Sequence, residues 1–88
     1  MKNQTQLSND FQNFVNAVAM YEICAKDFRT TLKNGSTMEV LMQYGAMKRA
    51  LDNAKAFLNV IKTQSEYAIA SKVISITSKD FAAYQLPA

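Results

Sequence analysis

The chain has no histidine and no tryptophan, and only one cysteine, one proline and two glycines in 88 residues. Each scarcity narrows the chemistry available. Without histidine, the usual proton carrier near neutral pH is missing. Cys24 stands alone, so no internal disulfide can form. A structural zinc site takes about four His, Cys or carboxylate ligands, and one Cys without His cannot begin one. The two glycines, Gly35 and Gly45, are isolated and form no phosphate-cradling loop. The seven acids, Asp10, Glu22, Asp27, Glu39, Asp52, Glu66 and Asp80, are scattered. No two of them share a spacing that sets them side by side on an apolar helix face, so paired-carboxylate chemistry is not indicated. Glu-x-x-His motifs of helix-borne diiron sites are missing too. We therefore expect a protein that is not an enzyme, with no catalytic residue, no metal and no cofactor. Cys24, lying mid-helix among apolar neighbours, reads as a small buried hydrophobe.

Long hydrophobic runs are also lacking. No stretch approaches the ~20 apolar residues of a membrane span. Lys2 is followed by Asn3, Gln4 and Thr5 rather than by the apolar core of a secretory signal. With a lone cysteine, this points to the reducing cytoplasm and to no membrane partner. The net charge of +3 permits acidic partners without requiring them.

What the chain does contain is a heptad pattern. Leu7, Phe11, Phe14, Val18, Tyr21, Ala25, Phe28 and Leu32 follow one another in alternating steps of four and three. Such a repeat keeps one apolar seam of an α-helix facing a partner helix. A second seam follows: Val40, Tyr44, Met47, Leu51, Ala54, Leu58 and Ile61. Between them, Asn34-Gly35 stops the first helix, with glycine suited to a left-handed C-terminal cap. Ser36-Thr37-Met38-Glu39 then reads as a capping box that starts the second. Ser8 or Asn9 can cap the first helix, with Asp10 complementing its dipole.

The fold class expected is therefore all-α in a single domain over 1–88. Residues 1–6 form a frayed N-terminus. An antiparallel helical hairpin covers about 8–33 and 36–70, because short connections make neighbouring helices antiparallel. Residues 72–88 supply a link and a short terminal helix. The β-branched run Lys72 to Thr77 reads as continued helix or extended link. Thr77 to Asp80 reads as a fresh helix start, with Asp80 completing a cap and Phe81 and Tyr84 facing inward.

A hairpin has one internal interface, yet both helices carry apolar residues away from their seams. Met20, Ile23, Met42, Val60 and Tyr67 are the candidates for partner or oligomer contact. We expect a helical-bundle homo-oligomer, a dimer foremost, or else a third helix that folds back and completes a monomeric bundle. The function this suggests is a small non-catalytic protein–protein interaction module, acting as a stoichiometric adaptor or inhibitor. The short, metal-free, disulfide-free format suits an accessory protein of a phage or mobile element. The alternative is an anionic-ligand binder, of nucleic acid or nucleotide, with Lys48, Arg49, Lys55 and Lys62 as the phosphate-binding column and Lys26, Arg29 and Lys33 as a second basic group. Against it, Glu22 stands four before Lys26, Lys48 four before Asp52 and Lys62 four before Glu66, the spacing of ordinary helix ion pairs. No aromatic residue interleaves with these lysines to stack on bases.

Overall fold

The computed structural model of the protein describes residues 8–84. They form three α-helices: α1 (Asn9–Asn34), α2 (Thr37–Val60) and α3 (Gln64–Ala83). Leu7, at the head of the first seam, and the expected frayed segment 1–6 lie outside the described residues, as does the part of the C-terminal segment beyond Tyr84.

Local chemistry sets the hairpin. Ser8 caps α1, its hydroxyl accepting from the Phe11 amide at 3.1 Å. At the reversal the capping box is complete. The Glu39 amide donates to the Ser36 hydroxyl at 3.2 Å, and the Ser36 amide donates to the Glu39 carboxylate at 2.8 Å. Gly35 closes α1 with its amide on the Thr31 carbonyl, but its φ is −96°, not left-handed. Glycine is needed there for space instead: a Cβ would stand 2.9 Å from Thr31 Cβ and 3.0 Å from the Thr31 carbonyl oxygen.

The two seams meet as expected. Phe14, Tyr21, Ala25 and Phe28 of α1 are buried against Val40, Met47, Leu51 and Ala54 of α2. Phe28 and Met47 are fully enclosed, and burying side chains of that size contributes about 1.5–3 kcal/mol each. Leu32 is the seam position that stays exposed, near the turn.

The second rod is shorter than its heptad suggests. α2 ends at Val60 rather than near position 70, and Ile61 to Thr63 are extended. The reason is burial. Extended backbone at Ile61 drops its side chain into the cluster of Phe11, Phe14, Ala54 and Ala70, and the chain turns back on itself. Residues 72–77 are thus helical, but within a helix that begins at Gln64. Thr77 to Asp80 lie in its interior rather than at a new start, and Asp80 caps nothing there.

α3 returns antiparallel to α2 and alongside α1, packing mainly on α2. Ala70, Ile74, Thr77, Phe81 and Tyr84 face the hairpin. The steps are again four, three, four and three, a third seam made of small and polar as well as large residues. Near the hairpin turn it joins an aromatic cluster. The Phe81 ring stands 5.0 Å from Tyr44 and 6.3 Å from Tyr21, and Tyr84 meets Phe28 edge-on at 5.3 Å. No helix among the described residues is long and apolar enough to cross a membrane.

Candidate functional site

α3 is held to α1 chiefly at its two ends. At the first, the Ser8 amide and hydroxyl donate to the Glu66 carboxylate at 3.1 and 2.7 Å. Glu66 thereby extends the N-terminal cap of α1 from another helix. At the second, the Tyr21 hydroxyl donates to Asp80 at 2.8 Å, and the Arg29 guanidinium donates to the Tyr84 hydroxyl. Burial, then the bond to Asp80 and its charge, push the Tyr21 phenol well above its ordinary range.

Between these anchors the two helices leave a groove. Its middle encloses about 710 Å³ and is lined by Glu22, Ile23, Lys26 and Arg29 of α1 against Ile76 and Asp80 of α3. Toward Ser8 it continues as an apolar trough of about 300 Å³, where Phe11, Val15 and Val18 face Ile69 and Val73. Toward the turn α3 supplies no wall, and a separate concavity on α1 alone is lined by Lys26, Arg29, Leu32 and Lys33. Val15, Ile23, Ile69 and Ile76 are each 45–62% exposed on this strip. Val15 and Ile69 line the groove's apolar part and Ile23 and Ile76 its middle, so these half-bared side chains share one strip rather than lying scattered.

The five residues expected to make partner contacts, Met20, Ile23, Met42, Val60 and Tyr67, are all exposed, but they are not one surface. Only Ile23 lines the groove; Met20, Met42, Val60 and Tyr67 do not. Reading α2 as continuous to 70 put Val60 and Tyr67 on one rod, whereas the break at Ile61 assigns them to different helices. Val15, Ile69, Val73 and Ile76 were missed. The signal for Ile69, Val73 and Ile76 is an apolar i, i+4, i+7 set on α3, and Val15 stands one step from Phe14, outside the α1 seam.

The basic column dissolves in a similar way. Lys48 and Lys55 share a face of α2, but Lys62 lies beyond its end. Lys48 is ion-paired with Asp52 at 3.1 Å, and Arg49, Lys55 and Lys62 are exposed. Of the three helix pairs expected, this is the one that forms among the described residues. Glu66 turns to Ser8 instead of Lys62, and Glu22 makes no ion pair with Lys26. Cys24 is buried and free, packed among Tyr21, Phe28 and Leu51. Compared with known proteins, the chain matches no family model, no curated protein and no solved structure.

Proposed function

We propose that the protein is a non-catalytic interaction module that receives another protein along the α1–α3 groove, as an adaptor or a stoichiometric inhibitor. The observation that carries this reading is the open groove itself. Its walls are regular helices, its floor is packed core, and its rims are bare aliphatic side chains. Three helices anchored in this way resemble a four-helix bundle short of one member, and a groove between two helices is the usual seat of an amphipathic helix. A cytoplasmic setting fits the reading.

Self-association is the runner-up within the same reading, with a second copy as occupant. It has less behind it because the exposed residues that would carry it, Met20, Ile23, Met42, Val60 and Tyr67, do not form one surface. An anionic ligand on Lys48, Arg49, Lys55 and Lys62 is weaker again, since Lys48 spends its charge on Asp52.

Site-directed photocrosslinking in the host tests the proposal. A photoreactive phenylalanine analogue is placed at Val15, at Ile69 or, as a control, at Met42. Adducts with another protein from the two groove positions and none from Met42 support docking in the groove. Adducts weighing two copies of the chain would replace the partner with self-association. Adducts from Met42 alone would refute the site.

A further inference from the structure

The groove is not uniform, and its gradient says what should fill it. Toward Ser8 the walls are apolar: Val15, Val18 and Ala19 against Ile69 and Val73. Toward the turn they are basic. Lys26, Arg29 and Lys33 follow one another at steps of three and four, which places all three cations on one face of α1; Lys26 and Arg29 line the groove, and Lys33 joins them in the concavity on α1 just beyond it. Two acids stand near them, Glu22 and Asp80. Asp80 already accepts the Tyr21 hydroxyl, and among the described residues Lys26 and Lys33 carry no ion pair. Their ammonium groups are exposed donors beside a concave apolar track.

We propose that the occupant is an acidic amphipathic helix of a partner protein. Its apolar stripe lies on the Val15–Ile69 half, and its carboxylates lie at the Lys26–Lys33 end. This rests on the docking reading above and adds the partner's chemistry. The distance available suits a helix: from Phe11 to Lys33 the track is about 33 Å long, room for roughly six turns. Charge complementarity favours this partner over a second copy, whose own net charge is +3. It also favours a helix over nucleic acid, because the Tyr21 ring beside the cations is buried and offers no open face on which a base could stack.

The test is selection from a displayed library of helical peptides against the whole chain, with winners synthesised and mapped by backbone amide shifts. Winners should combine an i, i+3, i+7 aliphatic stripe with Asp or Glu at one end. Their shifts should run from Val15 and Ile69 to Lys33. Affinity should fall about tenfold in the Lys26→Glu, Lys33→Glu double variant and should weaken with salt. Both lysines are exposed, so circular dichroism of that variant should match the parent. Winners that map to the groove but carry no acidic bias, or bind the double variant equally well, would overturn the acidic assignment and leave the docking reading standing. Winners that map elsewhere, or no winners at all, would overturn both. Equal shifts on adding anionic lipid vesicles alone would replace the partner helix with a membrane surface.

Discussion

The bond from Glu66 to Ser8 should be measurable as a coupling between positions 58 residues apart. Ser8 gives Glu66 both its amide and its hydroxyl, while the same hydroxyl accepts from the Phe11 amide. A shielded hydrogen bond to a charged group contributes about 1.5–3 kcal/mol. Glu66 is only half-buried, so water screens part of this. We therefore expect Ser8→Ala to destabilise by about 2 kcal/mol, roughly half of it the ordinary loss of an N-cap. Glu66→Ala should destabilise by about 1.5 kcal/mol. The double variant should lose about 1 kcal/mol less than the two singles together. The assay is urea unfolding of all four proteins, with hydrogen exchange at the Phe11 amide as the local probe. In thermal melts, each kcal/mol should lower the midpoint by about 4–8 °C for a domain of this size. Additivity within about 0.3 kcal/mol would refute the inter-helix cap. So would equal coupling of Glu66 to Lys62, the pairing that helix spacing alone suggests.

The two glycines should respond with opposite signs. Gly35→Ala drives a Cβ into Thr31 and the Glu39 carboxylate, and such overpacking should destabilise by about 1–3 kcal/mol. Gly45→Ala meets only Arg49, at 3.5 Å, inside a helix, and should stabilise by about 0.5–1 kcal/mol. Urea midpoints decide both, and equal effects at the two sites would contradict the packing described. Tyr21→Phe removes the bond to Asp80 and should destabilise by about 0.5–1.5 kcal/mol at neutral pH. The folded phenol ionises above its unfolded value, so its contribution is whole below about pH 10 and drains away as pH rises further. The parent should therefore lose stability in alkali and the Tyr21→Phe variant should lose less, as read from unfolding midpoints across that window.

The hairpin was legible because each of its signals is local. A heptad of Phe14, Tyr21 and Phe28 specifies a seam, and Ser36 to Glu39 specify a turn, with no knowledge of the rest of the fold. α3 was less legible because its seam passes through Ala70 and Thr77, which look like surface positions until a neighbour encloses them. Its β-branched residues also lower helix propensity when read alone. A start signal was nevertheless present: Thr63-Gln64-Ser65-Glu66 has the spacing of a capping box. In the structure Thr63 does take the N-cap position, but it makes no side-chain cap bond, and Glu66 serves α1 instead. The groove is not legible without the break at Ile61, since one of its walls is α3, which exists as a separate helix from Gln64 only because α2 ends at Val60.

The way α3 is attached accounts for why the groove stays open. A helix that docked on α1 through its middle would bury Ile69 and Ile76 against Val15 and Ile23 and close the trough. Here the attachment runs through polar bonds at both ends and through an apolar face turned mainly to α2. Polar end bonds fix position and register with little apolar area, so the central aliphatic residues remain unspent. Filling the trough from within would take larger side chains at Ala19 and its neighbours. Around Phe11 and Phe14 the chain instead lines the trough with Ala19 and the β-branched Val15, Val18, Ile69 and Val73, which leave room for side chains from elsewhere. Stability and docking capacity thus come from different parts of α3. Substitutions at Val15, Ile69 or Ile76 should therefore alter binding with little effect on folding, whereas substitutions at Ala70, Phe81 or Glu66 should do the reverse.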